Sequence, residues 1–453
     1  MRGPFRGTAL TASVRVMFQR FLLAAVAAAI AAAPAHAAIS PAEQRMIATI
    51  DSERARTVSM LETWVNQNSG TMNFPGVAAV GRMLRSELEP LGFKVEWVDM
   101  SAAGRSGHIV ARHKGRSNGK RLLLIGHLDT VFEADSPFQR WVGDGDKGKG
   151  PGSGDDKGGM AVMVAALRAM KAAGTLKSAN VTVVLTGDEE DAGNPTSISR
   201  RDLVREAQRA DAALDFEGLA QQDGLDMGST ARRSVGSWTV TVTARSGHSS
   251  GVGAGHYGAN YELARIIDAF RRELPEDKLT YNVGLMGGGE RESTDADKLK
   301  LQANGKTNII AAQAFARGDL RAISEEQLAR VQAKMRAIVA QPLAGAQSTI
   351  SFDPDYYPPM PPTEGNRALL ARLNGVNRDL MLAEMGELDP AFRGGGDISF
   401  VAKHVDGLIG LGASSDGDHT SNETVDIPSI FKQAKRAAIL MSRLAAERRP
   451  PGR

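Results

Sequence analysis

The sequence predicts an α/β chain with a smaller α+β unit inserted into it, and three observations lead there. "RLLLIGHLDT" (121–130), "VTVVLTGDEE" (181–190) and "AALDFE" (212–217) are nearly continuous apolar runs that end in polar residues. Such runs read as strands buried on both faces, as in a parallel sheet. Helical patterns alternate with them, which is the order of an α/β fold. Near residue 231 the texture changes: "SWTVTVTA" (237–244) alternates apolar and polar residues, as a half-exposed antiparallel strand does.

The elements follow in order. Residues 41–69 are amphipathic and helical, and 76–91 form a second helix closed by "PLG". "FKVEWV" and "HIVAR" read as strands before the first apolar run. In a helix over 158–173, Met160, Met163, Val164, Leu167 and Met170 share one face. "TSISRRDLVREAQRA" is a helix between the second and third runs. In the inserted unit come a helix at 258–274, strands near 280–286 and 307–315, a helix at 323–340 and the strand "STISF". "DPDYYPPMPPTEG" has five prolines and reads as the linker back. A helix at 365–385, a glycine-rich turn, the strand "GLIGL" and a helix at 428–447 complete the main sheet. The expected layout is a leader at 1–37, a main domain in two parts at 38–230 and 353–453, and the inserted domain at 231–352.

Of 453 residues, 42% are hydrophobic and 24% charged, an ordinary globular balance. The formal charge is +3, but residues 1–37 hold four arginines and no acid. Without them 51 basic residues face 52 acidic ones, so no excess of positive charge argues for nucleic acid. The leader has basic residues, the apolar run "FLLAAVAAAIAAA" and "AHA" at 35–37. That is the pattern of a cleaved secretory signal, which predicts a periplasmic or secreted protein with no membrane contact after cleavage. The chain has no cysteine, so any metal must sit on histidine and carboxylate.

"GDGDKGKGPGSGDDKGG" (143–159) contains a formal G-x-G-x-x-G and an incomplete Walker pattern. It follows no apolar strand, opens no helix before Asp156, and its acids would repel phosphate. Its Asp155 has two readings, a helix N-cap or a metal ligand at a close-approach turn. His127 and Asp129 lie at i and i+2 of a strand end and so point to one side; Asp129 could fix the tautomer of a metal-bound His127. Glu189 and Glu190 end the second apolar run and Glu217 the third, while His419 stands in the polar loop "DGDHTSNETVDIP". Alone, each also reads as a solvated loop residue. Together they come from successive strand ends, and open α/β sheets bind ligands there.

H-x-D, then G-P-G-x-x-D-D-K-G-G, then D-E-E, a lone Glu and a C-terminal His resembles the signature of the dinuclear zinc amidohydrolases and carboxypeptidases. These include bacterial glutamate carboxypeptidase, acetylornithine deacetylase and succinyl-diaminopimelate desuccinylase; the secreted glutamate carboxypeptidase is the nearest in pattern. The resemblance implies a mixed central sheet flanked by helices, plus a lid that carries a homodimer contact. It implies two Zn²⁺ per subunit, with Co²⁺ or Mn²⁺ as alternatives. Asp155 would bridge them, His127 and Glu217 would complete one site, and Glu190 and His419 the other. Glu189 would be the general base and Asp129 would orient His127. A cis peptide is expected at Asp155–Asp156. "SGHSSG" is similar to the family's lid turn, so His248 would stabilise the oxyanion in the partner subunit's site. Asn308, Arg321 and the "RGGG" loop with Gly395 and Gly396 would bind substrate. Ala311 replaces a usual proline, "DYYPP" stands where a second substrate-contacting arginine is expected, and Asp397 is out of step with the usual S-D. The implied activity is hydrolysis of an amide next to a free carboxylate in a small peptide. The alternatives are N-acyl-amino-acid deacylation or dipeptide cleavage and, from another class, a periplasmic solute-binding protein.

Overall fold

The computed structural model describes Met1, Gly3 and residues 39–253 and 255–449. The expected leader, apart from Met1 and Gly3, lies outside the described residues. The longer helices are α1 (Pro41–Ser52), α2 (Arg54–Val65), α3 (Phe74–Leu88), α4 (Lys157–Ala172), α5 (Ala259–Glu273), α6 (Glu325–Val339), α7 (Glu364–Asp379) and α8 (Ile427–Ala446). The strands used below are β1 (Lys94–Asp99), β2 (Gly107–His113), β3 (Arg121–His127), β4 (Asn180–Thr186), β5 (Ala212–Asp215), β6 (Gly236–Ala244), β7 (Gln313–Arg321), β8 (Ala346–Phe352) and β9 (Gly407–Leu408). Among the described residues no helix is long and apolar enough to cross a membrane.

The central sheet runs β1-β2-β4-β3-β5-β9. The first two pairings are antiparallel and the other three parallel, so the sheet is mixed. β3 lies at its middle, and Leu122 to Ile125 are completely buried, which is why its apolar run is continuous. Register then places the chemistry. His127 faces Thr186 across the β3·β4 pair, and Ile125 faces Asp215 across β3·β5. The residues just beyond β3, β4 and β5 therefore emerge at one edge of the sheet.

α4 departs from the one-faced expectation. Every residue from Lys157 to Met170 is buried, because α1, α2, α8 and β3 enclose the helix. Its polar residues are paired accordingly: Arg168 Nη2 lies 2.9 Å from Glu87 and Nη1 3.4 Å from Glu53. Fully burying each Met, Val or Leu side chain here stabilises the fold by about 1.5–3 kcal/mol. α1 starts as a capping box, with Ser40 Oγ accepting from the Glu43 N–H and Glu43 accepting from the Ser40 N–H.

A second hydrophobic core lies wholly between Trp238 and Ala346. There α5 and α6 pack on an antiparallel sheet in which β7 pairs β6 and β6 pairs β8. Two expectations shift. The helix expected at 365–385 ends at Asp379, where Met381 takes a left-handed backbone with φ 56°. "GLIGL" contributes only Gly407 and Leu408 to the sheet.

Candidate metal centre

Asp155 stands between two histidines. His127 Nε2 lies 2.9 Å from its Oδ1, and His419 Nε2 lies 3.2 Å from its Oδ2. His419 Nε2 is also 3.2 Å from Glu190 Oε2. Ligand atoms of His127, Asp155 and Glu190 all fall within 4.8 Å of one another. A carboxylate with a different imidazole on each oxygen can serve two cations at once. His419 reaches it from a loop with φ 63°, an uncommon backbone for a residue with a side chain.

The N-cap reading of Asp155 does not hold. α4 begins at Lys157 behind Asp156, whose side chain makes no cap, and the Asp155 carboxylate faces the histidines instead. The Asp155–Asp156 peptide is cis, as the resemblance implies. The glycine-rich run does cradle an anion, but an internal one. The N–H groups of Gly152, Gly154 and Asp155 donate to the Glu423 carboxylate at 3.3, 2.9 and 3.2 Å. Part of the run, with Val142–Asp144 and Lys147–Lys149, is a β-hairpin that its glycines hid.

Asp129 does more than orient an imidazole. His127 Nδ1 is 3.1 Å from the Asp129 carbonyl and 3.4 Å from its carboxylate. The Asp129 carboxylate also accepts the N–H groups of Glu189 (3.0 Å) and Glu190 (3.1 Å) and the Thr71 hydroxyl (2.7 Å). One buried carboxylate thus fixes both the histidine and the acidic loop.

The Glu217 carboxylate meets the Arg232 guanidinium. Arg232 is itself held by the Gly394 and Gly395 carbonyls. A Cβ at Gly396 would press on both Arg232 and Glu217 and make those side chains shift. Asp397 is buried, accepting from Thr186 Oγ1 at 2.5 Å and Arg200 Nε at 2.6 Å; it holds loops together and does not line the cluster. On the inserted unit, His248 Nδ1 meets Ser250, the Asn308 carbonyl accepts from the Ser249 N–H, and Arg321 pairs with Asp319. Sequence reasoning passed over Arg232, Glu423, Arg200 and Tyr357, whose partners are far away in the chain.

The electrostatics favour a cation. Burial, the Glu217 charge and other acids push Glu189 well above the usual carboxylate range, outweighing His127. Burial raises Glu190 against the pull of His419. Hydrogen bonds to Asp155 and Glu190 lift His419 to about 11. Burial opposes charge on His127, yet Asp129 and Asp155 raise it well above its ordinary value. Acids outnumber cations in a desolvated space, and a divalent ion would balance them. Two imidazoles with carboxylates, and no thiolate, suit zinc and its neighbours.

Imidazoles and acids gathered at the strand ends of a mixed α/β sheet form a donor set able to hold a divalent metal. The chain belongs to peptidase family M20/M25/M40, whose model matches residues 123–443. It is 33% identical over 275 residues to carboxypeptidase G2 of Pseudomonas sp. (strain RS-16), covering 59% of this chain and 60% of that protein. It is 31% identical over 252 residues to the succinyl-diaminopimelate desuccinylase of Methylocella silvestris, covering 52% and 61%. The chain thus spans about three fifths of the length of these curated relatives. A dinuclear metal-binding peptidase of the family from Bacillus subtilis shares the fold, with TM-score 0.60 and 16% identity over 87% of this chain and 99% of that one. The relatives matched in this family are a carboxypeptidase, a desuccinylase and a peptidase, and nothing in these likenesses supports a solute-binding role.

Proposed function

We propose that the protein is a zinc-dependent carboxypeptidase, cleaving the amide next to a free carboxylate and releasing a C-terminal amino acid such as glutamate. The observation that carries this is the Asp155 carboxylate with His127 on one oxygen and His419 on the other. The similarity to carboxypeptidase G2 supports the substrate class.

In this reading Asp155 would be shared by two ions, with His127 and Glu217 holding one and Glu190 and His419 the other. Arg232 occupies one side of Glu217 and aims it. Bound zinc would supply Lewis-acid polarisation of the scissile carbonyl and of the attacking water. Glu189 takes the water proton and delivers it to the leaving amine. Asp129 is a positioning residue that holds His127 and the Glu189–Glu190 backbone. His248 of the partner subunit donates to the developing oxyanion. Arg321 and Asn308 receive the substrate carboxylate, since an Arg fork matches a carboxylate's geometry, and the Gly395–Gly396 backbone borders the acyl side. The domain borders at 230/231 and 352/353, the homodimer through the lid, the signal at 1–37 and a periplasmic or secreted location belong to the same proposal.

The test is metal analysis of the purified protein together with turnover of folyl-glutamate-like compounds, N-acyl amino acids and dipeptides. Glutamate release from the first group supports the carboxypeptidase reading. Preference for short N-acyl amino acids or dipeptides would replace it with deacylase or dipeptidase activity of the same family.

A further inference from the structure

The two chain segments that join the inserted unit to the central sheet run side by side. Val235 and Tyr357 exchange backbone hydrogen bonds at 3.0 and 2.9 Å, and Arg232 and Met360 do so at 2.9 Å each. Each segment sends one side chain into the acidic site. Arg232 on the outgoing segment grips Glu217. Tyr357 on the returning segment donates its hydroxyl hydrogen to the Glu189 carbonyl at 2.6 Å.

The second contact closes a restraint. The Glu189 carbonyl and the Glu190 N–H belong to one peptide plane. Asp129 holds the N–H end at 3.1 Å and Tyr357 holds the carbonyl end. Because peptide planes are rigid, pinning both ends sets the directions in which the two glutamates leave the backbone. Tyr357 is itself fixed. Arg200 Nη2 donates to its hydroxyl at 3.1 Å and to the Asp188 carbonyl at 2.9 Å. The remaining guanidinium nitrogens of Arg200 reach Asp397 Oδ1 and Asp188 Oδ1, each at 2.6 Å. The Tyr357 ring packs against Phe400 with centroids 4.9 Å apart. Asp355, two residues earlier, docks the same segment on the Thr196 N–H and hydroxyl at 2.8 and 2.9 Å, without touching the glutamates.

We propose that Tyr357 is a positioning residue for the hydrolytic reaction, tying the lid's return segment to the peptide that aims Glu189. Asp129 sets that peptide from the sheet side and Tyr357 from the lid side, so the base keeps its alignment only while the Tyr357 hydroxyl is in place. This rests on the reading of Glu189 as general base. Misalignment of about 1 Å can cost about a hundredfold in rate, so loss of one of the two pins should be visible in turnover.

The experiment compares Tyr357→Phe, Asp355→Asn and Glu189→Gln, each alone, and Tyr357→Phe in the Glu189→Gln background. The full-length, metal-loaded enzyme is assayed on the best substrate of the panel, with metal content and Tm measured for each variant. Tyr357→Phe keeps the ring on Phe400 and removes only the hydroxyl. The expected result is a fall in kcat of at least about fivefold with KM within about twofold, because the loss falls on the reaction step and not on ground-state binding. Metal content should be unchanged, Asp355→Asn should stay within about twofold of wild type, and Tyr357→Phe should add less than about a twofold loss when Glu189 is already Gln. Wild-type kcat in Tyr357→Phe, an equal loss in Asp355→Asn, or an undiminished effect in the Glu189→Gln background would each overturn the proposal. Near-normal turnover of Glu189→Gln by itself would instead remove the reading of the base, which keeps the two failures apart.

Discussion

Glu423→Gln is the sharpest perturbation of the glycine-rich loop. Oε1 accepts the N–H groups of Gly154 and Asp155, and Oε2 accepts that of Gly152. A glutamine can keep the first two on its amide oxygen, but its NH₂ then faces the Gly152 N–H. One buried donor left unpaired costs about 1–3 kcal/mol. Burial pushes Glu423 up to about 7. A folded-state value raised above the unfolded 4.5 means the native acid contributes most at low pH and loses that contribution as the pH climbs through about 7, whereas glutamine does not titrate. The cost of the substitution should therefore be larger at pH 6 than at pH 8. The loop carries Asp155, and loss of a group supporting a metal ligand typically weakens metal binding about 10–100-fold. Urea denaturation of the metal-free protein at pH 6 and 8, with chelator competition for metal affinity, reads both effects. Stability within about 0.5 kcal/mol of wild type at pH 6, the range of an ordinary surface change, with unaltered metal affinity would refute the reasoning.

Two further outcomes are expected. Glu189→Gln should keep its metal, measured by elemental analysis, yet lose at least about a hundredfold in kcat, the usual size of a general-base contribution. Glu276 is drawn down to about 2, first by its hydrogen bond to Arg330, with Gln327 and Lys334 adding to it. A depressed folded-state pKa contributes stability above the unfolded value near 4.5 and loses it as the pH falls towards 2. Glu276→Gln should therefore lower Tm at neutral pH, and the gap should narrow as the pH drops below 4.5; a constant gap would contradict the ion-pair account.

The buried strands were legible because burial on both faces writes itself as an unbroken apolar run, as at 121–127. The acids and histidines at their ends stood out because they interrupt those runs. What local pattern hides is pairing across the chain. Arg200 meets Asp397 across 197 residues, and Glu423 meets Gly154 across 269. Nothing near Tyr357 signals that its hydroxyl reaches Glu189, 168 residues back. The 142–149 hairpin was masked by turn residues, and the full enclosure of α4 by the assumption that a helix shows one face to water. Asp155 was ambiguous because capping a helix and binding a cation ask the same of a carboxylate; only the imidazoles on either side decide between them.

Elemental analysis of wild-type protein and Asp155→Asn, each purified, zinc-loaded and desalted, bears most directly on the shared carboxylate. Two equivalents of zinc per chain in the wild type, falling to one or fewer in the variant, is the result expected of a side chain that serves both ions. Two equivalents retained by Asp155→Asn, or no zinc held by the wild type, would contradict it.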